Sequence, residues 1–246
     1  MVELEFGRFG AWLFDLDGVL TDTAGVHAAA WKAAFDRVLE EESARTGAPY
    51  VPFDRNDDYL RYVDGRPRAE GVRTFLASRG IHLEDGRPDD PPTTRTVAGV
   101  SNWKNELFQQ ELETSGVTVF PGSRAFVEYL RSRGVRTAVV SASENTRAVV
   151  DAGGIAGLFD VCVDGLVARR MHLAGKPAPD TYVEAARMLE VPPTRSVVVE
   201  DALVGVEAGR EGGFALVVGV DRVGQAAALT AHGADVVVDD LSTLIP

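Results

Sequence analysis

Apolar and polar positions change their spacing along the chain, and the changes divide it. Ala11-Trp12-Leu13-Phe14 is an apolar run that stops at Asp15, resumes at Leu16, stops again at Asp17 and meets Gly18. A short run of this kind ending in glycine suits the carboxyl end of a buried parallel strand. Helical spacing follows. In Ala24–Thr46 the apolar positions Val26, Ala30, Ala33, Ala34 and Val38 share a face, and Gly47-Ala48-Pro49 stops the helix. Residues 50–67 are mixed and close on the turn signal Asp64-Gly65-Arg66-Pro67. Helical spacing returns over Arg68–Ser78 and Val97–Ser115. Between them, Glu84-Asp85-Gly86-Arg87-Pro88-Asp89-Asp90-Pro91-Pro92 concentrates turn formers and charge and reads as an exposed loop.

From about Val119 strands and helices alternate. The pattern predicts helices at Pro121–Arg133, Glu144–Ala152, Pro179–Leu189 and Leu203–Glu211, and strands at Val135–Val140, Phe159–Val163, Ser196–Val199, Ala215–Val220 and Asp235–Val238. Repeated strand-then-helix units imply an α/β fold, a doubly wound parallel sheet with helices on both faces and ligands at the carboxyl ends of its strands. The helical block interrupts this rhythm directly after the first strand, so it reads as an inserted α-helical cap: residues 1–23 and 118–246 form the core domain and residues 24–117 the cap.

Composition narrows the function. At 246 residues and 45% hydrophobic the chain buries a sizeable core. Its net charge of −12 argues against a nucleic-acid or anionic-membrane surface, so an anionic substrate must be held by local cations. The single cysteine, Cys162, lies in an apolar run, reads as a core residue and excludes an intrachain disulfide. Met1–Phe9 has no long apolar stretch, so neither a signal peptide nor a membrane span is indicated. A cytoplasmic, monomeric protein acting on a small molecule is the expectation.

The chemistry collects where predicted strands end. A side-chain period of two aims Asp15 and Asp17 the same way, and two neighbouring carboxylates need a proton or a cation between them. Ser141-Ala142-Ser143-Glu144-Asn145 follows a second strand, where hydroxyls and backbone N–H groups can hold a phosphate or simply cap a helix. Glu200-Asp201 follows a third, either as more of the same site or as a solvated helix start. Four acids at one sheet edge call for a divalent cation, and hard oxygen donors suit Mg²⁺. Lys176, in the rigid turn Gly175-Lys176-Pro177-Ala178-Pro179, is either a balancing cation or a surface lysine.

Taken together and in this order, Phe14-Asp15-Leu16-Asp17-Gly18-Val19-Leu20-Thr21-Asp22-Thr23, Ser141, Lys176 and Glu200-Asp201 resemble the four motifs of the haloacid dehalogenase superfamily of phosphotransferases. The resemblance covers nearly the whole chain, cap included. It implies that Asp15 is the nucleophile forming an aspartyl-phosphate and Asp17 the general acid/base. It makes Ser141 and Lys176 the holders of the transferring phosphoryl group. Asp15, the Asp17 carbonyl and Asp201 would ligate Mg²⁺, with Glu200 close by. Those roles agree with the chemistry, since attack by a carboxylate on phosphorus needs charge neutralisation and a proton for the leaving oxygen.

Within the superfamily, finer features resemble the β-phosphoglucomutase-like group. Thr21-Asp22-Thr23-Ala24-Gly25-Val26-His27-Ala28-Ala29-Ala30-Trp31-Lys32 resembles that group's continuation of the first motif, with His27 and Trp31 on one helix face. The likeness implies that Thr23, His27, Trp31, Arg66, Lys104, Ser143 and Asn145 bind substrate, Arg68 being an alternative to Arg66. The implied reaction is an Mg²⁺-dependent interconversion of β-D-glucose 1-phosphate and glucose 6-phosphate through a 1,6-bisphosphate. The alternative is a phosphatase of sugar phosphates or other small phosphomonoesters. Two departures bear on the substrate: Glu144 stands where the group often has lysine, and the cap is longer, chiefly at residues 40–58 and 84–96.

Overall fold

The computed structural model describes residues 6–246; of the opening stretch Met1–Phe9, residues 1–5 lie outside the described residues. In chain order the elements are β1 (Ala11–Phe14), α1 (Ala24–Thr46), α2 (Asp57–Tyr62), α3 (Arg68–Ser78), α4 (Val97–Ser115), α5 (Pro121–Ser132), β2 (Arg136–Val140), α6 (Thr146–Ala152), β3 (Val161–Val163), α7 (Gly165–Met171), α8 (Asp180–Met188), β4 (Ser196–Glu200), α9 (Leu203–Glu211), β5 (Leu216–Val220), α10 (Ala226–His232) and β6 (Val236–Val238). The chain divides into two units, Met1–Asp22 with Val117–Pro246, and Thr23–Gly116.

The first unit is a six-stranded sheet in the order β3-β2-β1-β4-β5-β6, with every neighbouring pair parallel. β1 is central and buried along its whole length, which is why its sequence is continuous rather than alternating. Its two faces pack differently. Trp12 and Phe14 lie against Phe126 of α5, with ring centroids 5.0 and 6.3 Å apart. Ala11 and Leu13 join Tyr182, Ala185 and Ala186 of α8 on the opposite side. The chain winds outward from β1 in both directions, so a crevice opens between the carboxyl ends of β1 and β4. The register aligns Phe14 with Val199, and the Asp15 N–H bonds the Val199 carbonyl at 2.9 Å. Asp15 therefore comes level with Glu200.

The second unit holds α1 to α4 around an aromatic core. Phe35 of α1 stacks on Trp31 at 4.9 Å and meets Phe53 at 5.2 Å and Phe75 of α3 at 4.2 Å. Val72, Val97 and Val100 complete the same cluster. Each buried side chain of this size contributes about 1.5–3 kcal/mol. The charged stretch before α4 is exposed yet pinned. The Val97 N–H bonds the Glu84 carbonyl at 2.9 Å, and Asn102 Nδ2 bonds the carbonyls of Pro88 and Asp90 at 3.1 and 2.8 Å.

Three helices depart from the sequence-based pattern. α2 occupies part of the mixed segment 50–67, started by the Asp54 carboxylate, which accepts the N–H groups of Asn56 and Asp57. α7 is started by Asp164, which accepts the Val167 N–H at 2.7 Å. α10 follows β5. All three are too short for a 3.6-residue period to declare itself. α6 starts at Thr146 rather than Glu144, because the Ser143 hydroxyl takes the Asn145 N–H and the Ser143 carbonyl takes Thr146 Oγ1 and the Gly165 N–H. Among the described residues no helix is long and apolar enough to cross a membrane.

Candidate active site

Asp15 leaves β1 at the crevice and only 7% of its surface is exposed. Beyond it the chain turns tightly: the Leu16 carbonyl accepts the N–H groups of Leu20 and Thr21, and the Gly18 N–H bonds the Thr21 carbonyl at 2.8 Å. Gly18 carries this turn at φ +81°, and a β-carbon there would lie 1.8 Å from Asp201 Oδ2. Glycine is required on both counts, by the left-handed backbone and by the carboxylate against it.

Lys176 sits between two carboxylates. Its Nζ lies 2.5 Å from Asp15 Oδ1 and donates a second, shorter bond to Glu200 Oε1. At 2% exposure it is no surface lysine. Glu200 is fully buried, which excludes a solvated helix start. Its Oε1 also accepts the Tyr182 hydroxyl at 2.9 Å, and its Oε2 accepts the Ala202 N–H at 3.0 Å. Gly205 leaves the room this carboxylate needs, since a β-carbon there would meet Glu200 Oε1 at 1.8 Å.

Burial pushes the Asp15 carboxyl well above its ordinary pKa; Lys176 pulls it down, while Glu200 and Asp17 push it further up. Burial works against the charge on Lys176, yet Asp15 and Glu200 prevail and hold the ammonium well above its usual range. Burial, then Glu200, keeps the Tyr182 phenol protonated and therefore a donor. One oxygen from each of Asp15, Glu200 and Asp201 lies within 4.8 Å of the others. Three carboxylates against one ammonium leave an excess of negative charge, and all-oxygen donors suit a hard divalent cation.

Ser141 follows β2, the other neighbour of β1, and is buried, its Oγ accepting the Ser143 N–H at 3.1 Å. The Ser143 hydroxyl and Asn145 continue the same loop. Glu144 is paired with the Arg169 guanidinium of α7 at 2.6 Å. Cys162 is half-buried on β3, and burial pushes its thiol up to about 11.

The remaining residues singled out in the sequence lie in the helical unit. Thr23 is buried at the start of α1, where its carbonyl accepts the His27 N–H. His27 Nδ1 lies 2.6 Å from Lys104 Nζ, and the imidazole stacks on Phe108 at 4.1 Å. Against an ammonium, which has no lone pair, Nδ1 is the acceptor and the ring proton is assigned to Nε2. Trp31 is 4% exposed and stacked in the aromatic core, with the Lys104 ammonium 5.1 Å above its ring. Expected among the substrate-binding residues, it packs among the helices here and carries Lys104. Arg66 is held by Glu70 at 2.7 Å, and Arg68 bonds the Ser101 carbonyl at 3.2 Å.

Sequence reasoning missed Tyr182, Gly205, Arg222 and Gln225. Arg222 donates to the Gly18 carbonyl and Gln225 to the Asp201 carbonyl, at 2.8 and 2.9 Å. A tyrosine within an amphipathic helix and polar residues in a loop carry no pattern of their own.

A family model described as haloacid dehalogenase-like hydrolase matches residues 10–213. The β-phosphoglucomutase of Mycobacterium tuberculosis is 52% identical over 238 residues, covering 96% of this chain and 91% of that protein. The β-phosphoglucomutase of Bacillus subtilis is 29% identical over 235 residues, covering 95% and 91%. Among solved structures, a β-phosphoglucomutase from Clostridium difficile superposes with a TM-score of 0.76 at 24% identity, covering 96% and 93%, a likeness of fold.

Proposed function

Because the chain belongs to the haloacid dehalogenase-like hydrolase family, we propose that it is a phosphotransferase interconverting β-D-glucose 1-phosphate and glucose 6-phosphate through an aspartyl-phosphate and a 1,6-bisphosphate. The observation that carries phosphoryl transfer is the buried Lys176 bridging Asp15 and Glu200. Choice of substrate rests on the identity with the mycobacterial mutase along 96% of the chain.

The acidic cluster fits Mg²⁺: hard oxygens converge, and Gly18 clears space for Asp201. Asp15, Asp201 and the Asp17 carbonyl are assigned as its ligands. Glu200, also engaged by Lys176, Tyr182 and the Ala202 N–H, completes the metal cluster beside them. When bound, the ion supplies positive charge against the transferring phosphoryl group.

The protein's own groups do the rest. A carboxylate oxygen of Asp15 attacks phosphorus, forming the acyl phosphate as the bond to the leaving oxygen breaks. Asp17 gives that oxygen its proton and later recovers one from the attacking hydroxyl. The Lys176 ammonium and the Ser141 hydroxyl stabilise charge on the equatorial oxygens, and burial makes each contact stronger than it would be in water. Ser143 and Asn145 are assigned to the sugar phosphate, as are Thr23, His27, Arg66 and Lys104 of the helical unit. The same reading has the enzyme monomeric, in the cytoplasm, and without a nucleic-acid or membrane partner.

A coupled assay primed with glucose 1,6-bisphosphate tests this. Isomerisation is expected to outpace phosphate release from either hexose phosphate, and Asp15→Asn to abolish both. Release that outpaces isomerisation would leave a sugar-phosphate phosphatase instead.

A further inference from the structure

One loop grips both sides of the acidic cluster. It runs from Asp221, directly after β5, to Gln225, directly before α10. The Asp221 carboxylate fixes its shape by accepting four backbone N–H groups: Oδ1 takes Val223, Gly224 and Gln225 at 3.2, 2.7 and 2.8 Å, and Oδ2 takes Ala226 at 3.0 Å. Two half-buried side chains project from this frame to the residues around the cluster. Arg222 donates from Nε to the Gly18 carbonyl at 2.8 Å, from one terminal nitrogen to the Asp239 carbonyl at 2.8 Å and from the other to the Val19 carbonyl at 3.5 Å. Its guanidinium lies 3.8 Å from the centre of the Phe120 ring, which fixes its plane. Gln225 Nε2 donates to the Asp201 carbonyl at 2.9 Å.

The two segments so held are the ones that must keep their spacing. Gly18 follows Asp17, and its α-carbon faces the Asp201 carboxylate so closely that a β-carbon would overlap it. A few tenths of an ångström of slack between them would change the separation of the Asp15 and Asp201 oxygens. Mg²⁺ tolerates little of that, because it demands near-ideal octahedral distances. A planar guanidinium reaching several carbonyls is suited to the task in a way that a flexible ammonium is not.

We propose that Arg222 and Gln225 are positioning residues that set the distance between the Asp15–Asp17 turn and Asp201, and so the affinity of the cluster for Mg²⁺. The proposal rests on the reading of that cluster as an Mg²⁺ site. Neither residue touches substrate or metal; each acts through backbone carbonyls.

Calorimetric titration of the whole protein with Mg²⁺ alone tests it, alongside thermal unfolding without metal. Arg222→Ala is expected to raise the Kd for Mg²⁺ about tenfold or more, as loss of outer partners of metal ligands does. Gln225→Ala, losing one hydrogen bond, is expected to raise it about fivefold. Arg222→Lys should fall between Arg222→Ala and wild type. In both alanine variants kcat at saturating Mg²⁺ should return most of the way to wild type. Thr230→Ala, which loses only the bond to the Ala226 carbonyl within α10, should bind Mg²⁺ as wild type does. Should Arg222→Ala not fold, Gln225→Ala decides. Kd values within twofold of wild type in the folded variants overturn the proposal, whatever their melting temperatures, and leave the phosphotransferase reading standing. A wild-type protein that does not bind Mg²⁺ overturns that reading, and this proposal with it.

Discussion

Tyr182 donates its hydroxyl to Glu200 Oε1 at 2.9 Å, and both side chains are wholly buried. The bond gives the Glu200 carboxylate a neutral donor in addition to Lys176, so the lysine's geometry does not depend on one contact. Tyr182→Phe keeps the ring, its edge contact with Phe214 at 6.1 Å and its place beneath Lys176, and removes only the donor. A hydrogen bond to a charged group contributes about 1.5–3 kcal/mol. The variant should lose about 2 kcal/mol in urea unfolding while retaining measurable phosphoryl transfer; unchanged stability would show that the bond does not matter.

Two glycines with left-handed backbone separate strain from steric exclusion. Gly18 at φ +81° faces Asp201, whereas a β-carbon added to Gly213, at φ +67°, would have nothing within 4 Å of it. Gly213→Ala should therefore cost only the backbone strain, about 1–2 kcal/mol, and keep full activity. Gly18→Ala should in addition displace Asp201 and abolish Mg²⁺ binding. Equal Mg²⁺ affinity in the two variants, by calorimetry, would contradict the account.

His27 Nδ1 and Lys104 Nζ lie 2.6 Å apart within one unit, and a donating ammonium there assigns the imidazole proton to Nε2. Lys104→Met removes the donor at Nδ1, so the proton on Nε2 is no longer enforced and both neutral tautomers become populated. Nitrogen-resolved NMR of the imidazole reads this directly. A pure Nε2–H pattern in the variant would mean that other contacts of His27 set the tautomer.

Cys162 should be slow to react. With its thiol pushed from 9.0 to about 11 by burial, it carries about a hundredfold less thiolate at pH 8 than an unshifted thiol. The folded state disfavours the anion, so alkylation by iodoacetamide should rise with pH up to that value. A rate at pH 8 matching that of the unfolded chain would overturn this.

The sheet is legible in the sequence because its signals are strong and redundant. β1, β2 and β4 each carry an apolar run that ends in acids or hydroxyls, and a doubly wound order puts such endings at one edge. Asp15, Glu200 and Asp201 stand out as a group for that reason, whereas Lys176, in the turn between α7 and α8, is picked out only by its place among the four motifs. What is not legible depends on contacts across long separations. Arg222 reaches Gly18 from 204 positions away, and nothing local to Asp221–Gln225 announces it. The same holds for the tethers of residues 84–96, whose Gly, Pro and Asp content looks the same whether the loop is loose or pinned. Trp31 shows the converse limit: a periodic pattern gives a helix face, but not whether that face meets neighbouring helices or ligand.

The strand pairing at the insertion has a consequence for how such a chain can change over time. Asp22 N–H meets the Thr118 carbonyl, and Phe120 N–H meets the Leu20 carbonyl, each at 2.9 Å, so the two ends of the helical block leave the sheet unit side by side. A chain whose path is already closed at that doorway needs nothing from the inserted residues to complete its sheet. The entropic cost of what is threaded through grows only with the logarithm of its length, about 0.6 kcal/mol for each doubling. Residues 40–58 and 84–96 could therefore lengthen, and whole blocks could be exchanged, while Asp15 and Asp201 stayed where they are. The doorway separates the rate at which the helical block can be rewritten from the rate at which the sheet edge can.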